Sequence, residues 1–178
     1  LANAIRINGK EVPYSLITAT DEFADVQGFI LNDWAARDLG AKVGDEVTLE
    51  YYVWKEEGQL DTKQTAVKLE RIVPMQGVAA DRNLSPEYPG ISNAKSLADW
   101  DPPFPVDLSR VRKVDEDYWD KYRTTPKAFI ALNAGQKLWA TRYGKLTSIR
   151  VLPGEGTELA SARQSFEAAL RNSLDPLQ

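Results

Sequence analysis

The amino-acid sequence predicts an α+β fold built from two small β-α-β lobes within a single domain, residues 1–178. Apolar and polar residues alternate over 46–54, as they do in a half-buried strand. A strand, an asparagine, an amphipathic helix and a glycine follow one another twice, over 28–40 and 127–144. Apolar residues spaced by three and four over 157–174 indicate a C-terminal amphipathic helix.

Two hairpins and the first lobe follow from local signals. Asn8 and Gly9 supply the positive φ of a tight turn between two strands. Asn32 is placed to cap a helix, and Gly40 ends that helix in the left-handed conformation. The predicted elements are strands 5–7 and 12–17, strand 28–31, helix 33–39, and strands 46–54 and 65–73 around a polar loop at 55–61.

The second lobe and the last helix complete the chain. Asn133 and Gln136 have the spacing of a capping box, and Gly144 is expected to close the helix that they begin. Thr157 is expected to cap the C-terminal helix, and the Asp-Pro pair at 175–176 to end it. The predicted second lobe is strand 127–132, helix 133–143 and strand 146–152, with the two strands parallel.

Residues 77–126 are predicted to form an irregular insertion rich in proline and aromatic residues. Six of the chain's ten prolines fall in it. One helix is expected there, near 115–123, because acidic residues begin it and basic residues end it, as the helix dipole favours. Tyr118 and Tyr122 give this helix an aromatic face, and Trp119 lies beside it.

The composition excludes several classes of function. The chain has no histidine and no cysteine, so triads based on either residue, imidazole or thiolate zinc sites, and haem or iron–sulfur ligation are excluded. With 22 basic and 26 acidic residues, a net charge of −4 does not favour nucleic acid as a partner. No stretch approaches the roughly 20 apolar residues that cross a bilayer. We predict no cofactor.

One segment begins like a calcium-binding loop. Residues 81–85 place oxygen-bearing side chains at alternate positions. Pro86 then stands where a glycine makes the sharp turn, and Ser92 where a bidentate glutamate is required. We therefore predict a hydrogen-bonded turn and no metal site.

The segment 99–107 is the most distinctive in the sequence, with three aspartates among prolines and aromatic residues. One interpretation is a carboxylate-dependent glycan hydrolase, since that chemistry needs two acids and no histidine. A second is a carbohydrate- or protein-binding module that uses the aromatic residues, and a third is core packing with aspartates that cap turns. The candidate recognition surface is Asp99, Trp100, Asp101, Phe104, Asp107 and Trp119.

Several segments resemble the extracytoplasmic core domain of MacB/FtsX-like ABC-transporter permeases. The run 32–49 resembles that family's segment of helix, glycine, lysine and Val-Gly-Asp turn. Four later segments resemble one branch of the family: 77–82, 99–105, 117–120 and 125–129. The segment around Trp100, 99–105, is the most specific of them.

The resemblance implies a domain inserted between the first two membrane helices of a permease, on the periplasmic side of the cytoplasmic membrane. Such domains are not enzymes. Their partners are the permease's membrane helices, a separate cytoplasmic ATPase, and an envelope protein, peptide or lipoprotein cargo. Their β-α-β lobes resemble the porter-type subdomains of other exporters, and they act as levers when the membrane helices move.

Overall fold

The structure, a computed structural model, describes residues 1–55, 58–142 and 144–174. These residues confirm the α+β class, with seven strands and four α-helices. The chain divides into two compact units, Leu1–Leu146 and Thr147–Gln178. The first unit contains β1 Ala2–Ile7, β2 Lys10–Ser15, β3 Ile17–Thr20, β4 Phe29–Asn32, α1 Asp33–Leu39, β5 Glu46–Trp54, β6 Leu60–Val73, α2 Lys113–Tyr122, β7 Ala128–Ala131 and α3 Leu132–Trp139. The second unit contains α4, Leu159–Ser173.

The seven strands form one sheet in the order β2-β1-β5-β6-β4-β7-β3. β1 pairs antiparallel with β2 and β5, and β6 pairs antiparallel with β5 along residues 60–68. Farther along β6, the residues from Leu69 to Val73 pair parallel with β4. One long strand thus joins an antiparallel half of the sheet to a mixed half, where β7 lies antiparallel to β4 and parallel to β3.

The sheet curls, because its two edge strands follow each other in the sequence. β2 ends at Ser15 and β3 begins at Ile17, so only Leu16 separates the two edges. The carbonyl of Leu16 accepts a hydrogen bond from the Lys127 amide at 3.0 Å, next to the start of β7. The predicted first hairpin is confirmed, but its second strand ends at Ser15, two residues earlier than expected, because the chain leaves to form the opposite edge.

The helix of the first lobe is confirmed in detail. The Asn32 side chain accepts a hydrogen bond from the Ala35 amide at 2.8 Å, and Gly40 has the left-handed φ of 66°. The second hairpin, β5 with β6, is also confirmed, although residues 56–57 of its loop lie outside the described residues. Helix α1 covers the sheet over the main apolar core, whose buried members include Ile5, Ile7, Val12, Phe29, Leu31, Leu39, Val47, Leu49, Tyr51, Leu69 and Ile130.

The predicted second lobe is wrong in three respects. Helix α3 follows Ala131 directly and ends at Trp139, so Asn133 does not cap it and Gly144 does not close it. The described residues 146–152 form no strand. The parallel neighbour of β7 is instead β3, onto which α3 packs so closely that a Cβ on Gly135 would lie 2.2 Å from the Ala19 Cβ.

The second unit is described by itself. Helix α4 begins after Glu158 without a side-chain cap, so the predicted cap at Thr157 is wrong. None of its residues is buried, and Phe166 and Leu170 on its apolar face are each 46% exposed. The predicted stop at 175–176 lies outside the described residues. Among those residues, no helix has the length and apolar character needed to span a membrane.

Candidate functional site

The insertion folds around an apolar cluster of its own. As predicted, residues 77–126 are largely irregular, with four short 3-10 turns and helix α2. Their apolar side chains pack with a residue of β2 in a cluster separate from the main core. We call this set the insertion cluster, and its buried members are Tyr14, Ile91, Leu97, Trp100 and Trp119.

Two aromatic members of the candidate recognition surface lie inside the insertion cluster. Trp100 and Trp119 are only 8% and 3% exposed, and their rings meet edge to face with centroids 5.1 Å apart. The Trp119 indole donates a hydrogen bond to the Ala94 carbonyl at 3.3 Å. Phe104 is half-buried and lies 6.1 Å from the ring of Tyr52. The two tryptophans therefore hold the insertion together and present little surface to a partner.

The three aspartates of the segment are exposed, and two of them, Asp99 and Asp107, stabilise turns. The Asp99 carboxylate accepts hydrogen bonds from the Ser96 amide and hydroxyl at 3.2 and 2.9 Å. The Asp107 carboxylate likewise accepts hydrogen bonds from the Ser109 amide and hydroxyl at 3.0 and 2.6 Å. These hydrogen bonds lower the pKa of Asp107 below its ordinary value. A glycosidase acid needs a raised pKa, so Asp107 is unsuited to that role.

Asp101 fixes the insertion through its backbone. Its amide donates to the Gly90 carbonyl at 2.8 Å. Gly90 has a φ of 79°, and a Cβ there would lie 2.0 Å from the Asp101 carbonyl oxygen. Only glycine fits this close approach. The structure thus places Asp99 and Asp107 in separate turns and Asp101 in a backbone contact with Gly90, so each has a structural role.

A buried polar residue of the sheet connects three elements. Asn32 is fully buried, and its Nδ2 donates to the Tyr118 hydroxyl at 3.2 Å and to the Pro126 carbonyl at 3.1 Å. The Tyr118 hydroxyl in turn donates to the Thr125 carbonyl at 3.0 Å. Burial raises the pKa of Tyr118 above its ordinary value. The residue predicted only as the cap of α1 therefore also joins α1 to α2 and to the chain entering β7.

A charged cluster missed by the sequence analysis lies beside this network. Asp115, 1% exposed, accepts two hydrogen bonds from the Arg112 guanidinium at 2.8 and 2.9 Å. Arg112 also reaches Asp38 of α1 at 2.6 Å. Lys127 is 6% exposed, and its Nζ lies 3.8 Å from Asp115. We call Asp38, Arg112, Asp115 and Lys127 the buried charge cluster.

Burial lowers the pKa of Lys127 to about 8. Asp115 opposes this shift, but Arg112 adds to it by repulsion. The rings of Trp34 and Tyr118, each 4.9 Å from Nζ, favour the protonated amine. The adjoining cavity of about 20 Å³ has room for one water molecule. A lysine with this pKa is chemically capable of acting as a base, but the cavity of about 20 Å³ beside it is too small for a substrate.

Comparison of the chain with protein-family models and with curated proteins finds no match in either set.

Proposed function

We propose that this chain is a non-catalytic extracytoplasmic domain of an ABC-transporter permease. In this role it binds a partner or a cargo, such as an envelope protein, peptide or lipoprotein. It also couples movement of the permease's membrane helices to the cell envelope. ATP hydrolysis belongs to a separate cytoplasmic domain or subunit.

The observation that carries the proposal is that the segments resembling the permease family converge in space. Trp100 of one segment packs on Trp119 of another. Asn32 of the first segment binds Tyr118 and also Pro126, which lies 94 residues away in the sequence. The residues behind the resemblance thus form one packed framework, which we call the coupling framework.

The coupling framework fixes the insertion to the sheet at more than one place. Ala79 of the insertion packs against Ile30 and Phe129 of the sheet, apart from the contacts of Asn32. Buried hydrogen bonds resist rearrangement, because breaking one leaves a polar group without a partner in a low-dielectric interior. A body held in this way transmits displacement with little internal slippage, as a lever requires.

We further propose that two strand–helix units correspond to the porter-like lobes of the family. β4 continues into α1 and β7 continues into α3. The two strands pair antiparallel, with Phe29 opposite Ile130. Two units of the same pattern, side by side and in opposite directions, support an origin as paired lobes even though the second lacks its predicted outgoing strand.

The location is testable by cysteine labelling, because the chain has no native cysteine. In the full-length protein, with any cysteine outside these 178 residues replaced by serine, we expect Val43→Cys to react with a membrane-impermeant maleimide in intact cells, since Val43 is 62% exposed. Ala128→Cys is the matched control, because Ala128 is fully buried and should react only after denaturation. Reaction of Val43→Cys only after the cells are lysed would contradict an extracytoplasmic location.

A further inference from the structure

A polar cleft of about 410 Å³ opens on the insertion and shares Arg123 with the small cavity beside Lys127. Its size is that of a small-molecule site. Most of its lining comes from two stretches of the insertion, 82–87 and 92–95, and the rest from Arg123 and Thr124, which follow α2. Apart from Pro86 and Ala94, the lining side chains are polar or charged.

The charge of the cleft is opposite to that of the whole chain. Arg82, Lys95 and Arg123 line it with a single carboxylate, Glu87, whereas the chain carries a net charge of −4. Arg82 and Lys95 are exposed and make no ion pair with the described residues. Two cations are thus free to meet an anionic ligand at one place.

Arg123 is held in position at the cleft. Its Nη1 donates to the Lys95 carbonyl at 2.7 Å and the Ala94 carbonyl at 3.3 Å, and its guanidinium lies 5.8 Å from the Trp119 ring. The residue has a φ of 53°, a strained value for a side chain other than glycine. Strain of this kind is kept where the surroundings fix the residue, and it occurs often at ligand sites.

A second observation comes from a neutral group. Ser85 is among the residues that line the cleft, and its hydroxyl is shielded from solvent, yet this hydroxyl has no hydrogen-bond partner among the described residues. Such a group is costly unless something binds it. The amides of Asn83 and Asn93 add donors and acceptors to the lining.

We propose that this cleft binds a small hydroxylated anion, of the size and chemistry of a monosaccharide bearing a phosphate or carboxylate group. Arg82, Lys95 and Arg123 receive the anionic group, since guanidinium and ammonium groups form charge-assisted hydrogen bonds with both kinds of oxyanion. Asn83 and Asn93, whose side chains are exposed in the cleft, receive the hydroxyl groups. The site is independent of the proposed transport role.

The test is a ¹⁵N NMR titration of the 178-residue chain with glucose 6-phosphate, glucuronate, glucose and inorganic phosphate at matched ionic strength. We expect at least one sugar anion to bind with a Kd of about 1 mM or tighter. We also expect both glucose and inorganic phosphate to bind more weakly than that sugar anion does. Shifts should centre on 82–95 and 123–124. The preferred sugar anion identifies the anionic group.

A charge-matched pair of variants locates the site. Arg82→Gln with Lys95→Gln should weaken binding about tenfold. Lys42→Gln with Lys63→Gln, which removes two exposed positive charges elsewhere, should leave it unchanged. The proposal is overturned if neither sugar anion binds, if glucose or inorganic phosphate binds as tightly, or if both double variants lose affinity equally.

Discussion

Replacement of Asp115 by asparagine is expected to lower the free energy of unfolding by about 3 kcal/mol. Asp115 accepts the hydrogen bonds of Arg112 and faces Lys127, so its loss leaves two positive charges without their shared carboxylate. The new amide would also turn N–H donors toward groups that are themselves donors. Urea unfolding followed by tryptophan fluorescence measures the change, because Trp119 lies on the same helix.

The matched control is Asp117→Asn on the same helix. Asp117 also pairs with a cation, Lys113, but both side chains are largely exposed. Exposed pairs contribute little to stability, so this variant should unfold like the parent chain. If both variants lost the same free energy of unfolding, the Asp115 ion pair would contribute no more to stability than a surface ion pair does.

The second large effect is a rise in stability with pH that depends on Lys127. The pKa of Lys127 is about 8 in the folded chain and 10.5 at its ordinary value. Between these values the unfolded chain binds the proton and the folded chain does not. The free energy of unfolding contributed by Lys127 should therefore rise by about 2 kcal/mol between about pH 8 and pH 10, and stay nearly constant below this range.

The measurement is the difference in unfolding free energy between the parent chain and Lys127→Met at several pH values. The contributions of the other titrating groups to the unfolding free energy cancel in that difference. The series should stop near pH 10, because the raised pKa of Tyr118 lowers the stability of both proteins at higher pH. Lys63→Met, at an exposed position, controls for the loss of one positive charge. A difference that does not change with pH would contradict the buried, partly neutralised state of Lys127.

Elements governed by close neighbours in the sequence were predictable. The tight turn at Asn8 and Gly9 depends on positive φ values, which are 51° and 79° in the structure. The helix 33–39 was fixed by Asn32 before it and Gly40 after it. In each case the interaction that determines the structure joins residues only a few positions apart, so the local sequence is enough to predict it.

The second lobe was not predictable in the same way, because a strand requires a partner. Residues 146–152 have a strand-like pattern, yet the place parallel to β7 belongs to β3, over a hundred residues earlier in the chain. β3 has only four residues, too few to show a periodic pattern. Glycine at 135 was also unremarkable in the sequence, although it permits the close packing of α3 on β3.

The candidate site shows the same division between local and distant interactions. Asp99 and Asp107 have the turn-capping roles that one of the original interpretations gave them. Asp115 was recognised only as an acidic residue at a helix start, and Lys127 only as the beginning of a strand. Their meeting depends on the packing of α2 against the start of β7, and no sequence spacing encodes it.

The central claim is that the chain works as a non-catalytic part of an ABC permease, and isolation of the full-length protein from its own cells tests it most directly. We predict that extraction from membranes requires detergent and that an ABC-type ATPase domain or subunit accompanies the protein. ATP hydrolysis by that complex should survive joint replacement of Asp99, Asp101 and Asp107 by asparagine. Recovery without detergent and without an ATPase, or a glycan-cleaving activity that the triple variant abolishes, would contradict the claim.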